Sequence, residues 1–234
     1  MSTLARSERL AARAKETPLP PLENGDHLDQ KTFHERYEAM PEGTRAELIG
    51  GIVYMASPTK RRHGRHHLQA TRWLGDYEEA TPGTVGFDNT SNILGDDSEP
   101  QPDLCLLIAS GKGGQTRDED DYIVGAPELI VEIASSSESI DLHKKKSDYE
   151  RAGVREYVVV ALRQNRVFWF VSRNGSFEEL ALGGDGIYRS ERFPGLWLDS
   201  ATLLRLDAPR IREVLQQGLA TPEHDDFVKQ LAAK

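Results

Sequence analysis

The sequence predicts an α/β fold, a central mixed sheet flanked by helices. Three observations carry this. Leu129-Ile130-Val131-Glu132-Ile133-Ala134 is apolar except for one acid, and such a run reads as a strand covered on both faces. A helical stretch, Ile140 to Arg151, and a second β-branched run, Glu156 to Leu162, follow at once, giving strand–helix–strand. Other strand-like runs precede and follow this centre, and no internal repeat is present.

In chain order, Ser2 to Lys15 reads as a short Ala/Arg/Leu helix stopped by Pro18, Pro20 and Pro21. Asp29 to Met40 reads as a helix with Phe33 and Tyr37 four apart on one face. Ala46 to Ala56 reads as a hairpin turned at Gly50-Gly51, with Glu47 on its first strand. Arg62 to Glu79 reads as a helix whose apolar side carries Leu68, Thr71, Trp73, Leu74 and Tyr77.

Strands are expected at Thr84 to Phe87 and Pro102 to Ile108, with an acidic turn from Gly95 to Pro100 between them and Asp103 near the start of the second. Gly111 to Asp121 reads as a mobile loop. After the central strand, Ser135-Ser136-Ser137 offers N-cap chemistry and Gly153 suits a left-handed C-cap. Val167 to Val171 and Phe177 to Leu182 read as a hairpin around Asn174-Gly175. From Asp207 onward an amphipathic helix is expected, with Ile211, Val214, Leu215 and Leu219 on one side. The expected organisation is a peripheral extension over 1–28, a domain over 29–206 and a helical extension over 207–234.

The net charge is −9, which argues against a non-specific nucleic-acid binder, since those are usually basic. One segment is locally basic, Lys60-Arg61-Arg62-His63-Gly64-Arg65-His66-His67. There, His66 and His67 read as surface residues. No run approaches the roughly 18 apolar residues of a membrane helix, so no membrane partner is expected. The N-terminus lacks the apolar core of a signal peptide. The single cysteine, Cys105, lies in an apolar run and reads as a buried thiol of a cytoplasmic protein. Trp73, Trp169 and Trp197 read as core residues rather than base-stacking platforms.

Glu47, Asp103 and Glu132 stand at strand positions where acids are unusual, and a buried mid-strand carboxylate is costly without a partner or metal. The following helix carries Lys144, Lys145 and Lys146. At about 100° per residue, Leu142 and Tyr149 share its inner face, Lys145 and Lys146 flank that face, and Lys144 points away. Carboxylates with an ammonium are a recurrent solution for phosphodiester hydrolysis. Hard oxygens hold Mg²⁺, the metal lowers the pKa of a water, and the lysine stabilises developing charge.

Ala46-Glu47-Leu48-Ile49-Gly50-Gly51, Gln101-Pro102-Asp103-Leu104, Ile130-Val131-Glu132-Ile133-Ala134-Ser135 and Lys145 through Tyr157, in this order and spacing, resemble the Uma2 family of restriction-endonuclease-like proteins. That family lies within the PD-(D/E)XK nuclease superfamily. The resemblance covers about residues 29 to 200. It implies a restriction-endonuclease-like core, cleavage of DNA, and Mg²⁺ or Mn²⁺ held by Asp103 and Glu132 with Glu47 assisting. The superfamily lysine, two residues after the second acid, would fall at Ala134. The family resemblance transfers that role to Lys145, four residues before Tyr149, and places His63 near the site. Ser136 and Ala161 depart from the family pattern at positions outside the proposed chemistry. Cutting two strands and an apolar C-terminal helix together suggest a homodimer. Rival readings are a non-cutting module of the same fold and a hydrolase of small phosphate esters.

Overall fold

The computed structural model describes residues 19–234; the helix expected over 2–15 lies outside them. Helix α1 (Gln30–Glu38) starts at Asp29, whose side chain accepts from the Thr32 amide. Strands β1 (Ala46–Ile49) and β2 (Ile52–Met55) form the expected hairpin. Its turn residues Gly50 and Gly51 both have positive φ, 56° and 74°, a backbone that two glycines adopt without Cβ strain. Phe33, Leu48 and Val53 join Leu22 and Ala46 in a small core of this lobe.

The main sheet has six strands: β3 (Thr84–Asp88), β5 (Leu104–Ile108), β8 (Leu129–Glu132), β9 (Glu156–Ala161), β10 (Arg166–Arg173) and β11 (Ser176–Glu179). Their order is β11-β10-β9-β8-β5-β3. The β8–β9 pair is parallel and the others are antiparallel, so the sheet is mixed as expected. Alternation along β8 sends Leu129, Val131 and Ile133 to one face, where they meet Trp73, Leu74 and Tyr77 of helix α2 (Arg61–Ala80). Ile130 and Ala134 go to the other face, with Tyr149 and Tyr157. Glu132 shares the parity of Ile130 and Ala134, so it points to that second face.

Several expectations are corrected. The connection after β8 is not a plain α-helix: Ile140–Lys145 is a π turn, and α3 (Lys146–Ala152) continues from it to Gly153 at φ 91°. Within the stretch expected as a loop over 111–121, Arg117–Glu119 is strand. Here β6 (Arg117–Glu119) and β7 (Tyr122–Val124) join β4 (Asn92–Ile93) in a three-stranded sheet. Leu68 is 47% exposed, and α2 buries His66 (3% exposed), Gln69 and Ala70 instead. His66 tolerates burial because its ring lies against the Arg62 carbonyl (2.8 Å) and the Leu204 carbonyl (3.2 Å).

After β12 (Ile187–Arg189) and β13 (Trp197–Asp199), the C-terminus folds into α4 (Ser200–Arg205), α5 (Ala208–Leu219) and α6 (Pro222–Ala232). Ile211, Leu215, Phe227 and Leu231 complete the large core around α2. The apolar side of α5 is therefore used within the chain and gives no ground for a dimer. Trp73 and Trp169 are buried in the same core, Cys105 is buried, and Trp197 is partly exposed. Among the described residues, no helix is long and apolar enough to cross a membrane.

Candidate active site

The five side chains singled out by sequence meet in one cleft of about 510 Å³, lined among others by Glu47, His63, Asp103, Glu132 and Lys145. The sheet register explains the central pair. Leu104 pairs with Val131 in antiparallel fashion, so one further step sets Asp103 opposite Glu132. The Asp103 amide lies 3.4 Å from Glu132 Oε2, and the Ile133 amide donates to Asp103 Oδ2 at 2.7 Å. Each acid is thus fixed by the backbone of the other's neighbourhood.

Lys145 reaches the same point from the π turn. Its Nζ lies 2.9 Å from Glu132 Oε1, 2.7 Å from Glu47 Oε1 and 3.9 Å from Asp141 Oδ1, with the residue 5% exposed. Lys144 turns outward to the Tyr54 hydroxyl, and Lys146 lies over the Phe170 ring. Glu47 comes from the hairpin, and its Oε1 also accepts from the Gln101 amide at 2.8 Å. His63, in the first turn of α2, brings Nε2 to 3.2 Å from Asp103 Oδ1 and Nδ1 to 2.8 Å from the Ile133 carbonyl.

Two residues of the site escaped the sequence reading. Asp141, one residue into the π turn, is buried beside Lys145. Tyr149 donates to Glu132 Oε1 at 3.0 Å. The signal for Asp141 was its four-residue spacing to Lys145.

Three carboxylates, Glu47, Glu132 and Asp141, lie within 3.9 Å of the Lys145 ammonium, and a fourth, Asp103, pairs with His63. Burial pushes Glu132 well above the usual carboxylate range despite Lys145, and burial pushes Asp141 up to about 6. Burial opposes the Lys145 ammonium too, but Glu132, Glu47 and Asp141 hold it above the lysine range. Asp103 goes the other way: burial is outweighed by His63 and the Ile133 amide, and its carboxyl lies below its ordinary value. The Asp103 hydrogen bond in turn raises His63. In formal charge the carboxylates outnumber the basic side chains of the site, Lys145 and His63, and burial favours the protonated forms of Glu132 and Asp141.

Among the described residues, no three His, Cys, Asp or Glu side chains are gathered as a metal cluster. Lys145 separates Glu47 from Glu132, and His63 stands against Asp103. The donors nonetheless suit a hard divalent cation. They are carboxylate oxygens, and Glu132 Oε2 has only the long contact from the Asp103 amide.

Asp141 gives a pH prediction. An acid raised on folding contributes stability that is complete below its ordinary value of 3.8 and is lost as pH rises through its folded value, about 6. Metal-free protein should therefore lose stability between about pH 4 and 6 on this account, and Asp141→Asn should flatten that decline. Denaturant melts across that range would show it, and identical profiles for the two proteins would refute it.

The sequence model of the family described as "Uma2: Putative restriction endonuclease" matches residues 32–202. Solved structures similar in fold include one from Anabaena variabilis ATCC 29413 described as "a putative nuclease". It aligns with TM-score 0.56 and 17% identity over 73% of this chain and 97% of that one. No curated protein matches the chain.

Proposed function

The chain belongs to the Uma2 family, matched over well more than half its length, and on that premise we propose that it is a metal-dependent endonuclease that hydrolyses DNA phosphodiester bonds. One observation carries the reading: two carboxylates on adjacent strand ends, Asp103 and Glu132, share a cleft with a buried ammonium, Lys145, and two further carboxylates, Glu47 and Asp141. Asp103 and Glu132 would hold Mg²⁺ or Mn²⁺, with Glu47 assisting. Such an ion supplies Lewis-acid polarisation of the scissile phosphate and makes a nearby water more acidic.

The chain's own residues do the rest. Glu47 and Glu132 hold the Lys145 ammonium from two sides, so it is already oriented when charge develops on the phosphate. His63 fixes the Asp103 carboxylate through Oδ1 while the Ile133 amide fixes Oδ2.

Plasmid DNA with Mg²⁺ or Mn²⁺, against an EDTA control, tests the proposal; metal-dependent nicking or linearisation is expected. Binding without cleavage under every metal would instead favour a non-cutting module, and hydrolysis of nucleotides alone would favour a small phosphate ester as substrate. A second copy of the chain is proposed only on the ground that a double-strand cut calls for two sites.

An acidic chain needs a local positive edge to approach DNA. Arg61, Arg62 and Arg65 are exposed at the start of the helix that carries His63 into the cleft. Replacing all three by Ser is expected to weaken DNA binding and make its log–log salt dependence shallower, by up to about 0.9 per lost phosphate contact. A slope equal to wild type would place the DNA surface elsewhere.

A further inference from the structure

Asp141, Lys145 and Tyr149 stand four residues apart. In a continuous α-helix of 3.6 residues per turn, positions eight apart drift by roughly 80° around the axis, which would fan the three side chains apart. The π turn over Ile140–Lys145 takes more residues per turn and absorbs that drift. All three side chains then reach one place. Lys145 Nζ lies 3.9 Å from Asp141 Oδ1 and 2.9 Å from Glu132 Oε1, and the Tyr149 hydroxyl lies 3.0 Å from the same Glu132 oxygen. Inserted π turns of this kind recur at functional sites.

The two donors fall on one oxygen. Glu132 Oε1 takes both the ammonium and the phenol, while Oε2 faces the Asp103 backbone. Tyr149 is fully buried, with its ring edge-on to Tyr157 at 5.0 Å. Packing alone would be served by a phenylalanine there, and the hydroxyl is tolerated because Glu132 receives it.

We infer that Tyr149 is a positioning residue: its hydroxyl, with Lys145, pins Glu132 Oε1 inward and thereby presents Oε2 to a divalent cation beside Asp103. The inference rests on the nuclease reading only for its choice of cation. Hydrogen bonds to a ligating carboxylate restrict its rotation, and losing one typically costs about 10–100-fold in metal affinity. Lys145 cannot do this alone, because its ammonium is shared with Glu47 and Asp141.

The test is Tyr149→Phe in the full chain, which keeps the ring against Tyr157. Titration calorimetry with Mn²⁺ is expected to show affinity reduced by about 10-fold or more. The cleavage-versus-Mn²⁺ curve should shift to higher metal by the same factor, with cleavage recovering at saturation. A role in stability alone would lower the melting temperature and leave the Mn²⁺ affinity in place, and that result overturns the inference. If melting shows the variant to be weakened, the comparison is repeated in the Glu132→Gln background. There the stability loss is expected to persist, because Gln keeps an acceptor for Tyr149, so the decision rests on Mn²⁺ titration of wild type and Tyr149→Phe at a temperature where both are fully folded: lower affinity in the variant supports the inference, and equal affinity overturns it. The two proposals fail separately. Wild type that binds Mn²⁺ more tightly than Tyr149→Phe yet cuts no DNA removes the nuclease reading and keeps this one. Wild type that cuts DNA, with equal Mn²⁺ affinity in both proteins, does the reverse.

Discussion

Lys145→Met is expected to lower DNA cleavage by about 10²–10³-fold, the usual loss when a preorganised donor to developing charge is removed. The sequence alone suggests that this lysine acts only in the transition state, so that its loss would leave the fold untouched. The structure gives it a second task, as the counter-ion of three buried or half-buried carboxylates at 2.7, 2.9 and 3.9 Å. Removing one partner of a buried ion pair typically costs about 3–5 kcal/mol. Metal-free Lys145→Met should therefore melt well below wild type, and saturating Mg²⁺ should restore part of the loss by supplying the missing charge. Lys144→Met serves as the control, because that side chain is exposed and touches the Tyr54 hydroxyl. Lys146→Met loses a contact over the Phe170 ring, worth about 0.5–1 kcal/mol at an exposed site, and should cut normally. Equal cleavage by the Lys144 and Lys145 variants would refute the assignment.

Glu132→Gln is expected to abolish metal-dependent cleavage and, in the metal-free protein, to raise the melting temperature or leave it unchanged. The two effects have one cause. Glu132 is buried, and burial, with Asp141, Asp103 and Glu47, opposes its charged form by more than Lys145 favours it. Folding at neutral pH therefore carries a cost that a neutral amide of the same shape removes. Gln keeps an acceptor for Tyr149, and Lys145 keeps Glu47 and Asp141. What Gln loses is the anionic oxygen for a cation, so Mn²⁺ should raise the melting temperature of wild type and not of the variant. Such a trade between stability and activity is common where an active site stores buried charge. A metal-free variant that melts far below wild type would show Glu132 to be a structural ion-pair partner instead.

Much of this site was legible in the sequence, and the reasons are physical. Glu132 interrupts an apolar strand, so its cost announces it. Asp103 follows from the pairing of two apolar runs, and the hairpin from its glycine pair. The π turn was not legible, because a 12-residue helical run carries no signal for one wider turn. Without that turn, Lys145 and Lys146 look equivalent about the inner face. The sheet of β4, β6 and β7 was also missed. Its strands have two or three residues, too few to show a period, and Arg117, Asp118 and Glu119 are all exposed. His66 reads as a surface residue because sequence does not reveal the Leu204 carbonyl that α4 brings to it.

The hairpin lobe has a core of its own, and it contributes Glu47 from outside the main sheet. Asp148 holds it to α3 by accepting from the Gly50 amide at 2.7 Å and the Ser98 hydroxyl at 3.0 Å, and Leu48 adds two backbone bonds to Glu99. A small unit with its own core, joined to the rest of the chain mainly by hydrogen bonds and ion pairs rather than through the main apolar core, is the kind that opens on its own, well below the free energy of global unfolding. Amide protons of β1 and β2 should accordingly exchange with deuterium sooner than those of β8 and β9, which lie inside the six-stranded ladder. Each opening would withdraw Glu47 from Lys145 while leaving Asp103 and Glu132 in register. The breathing of this lobe would then set how often the ammonium is shared by two carboxylates rather than three.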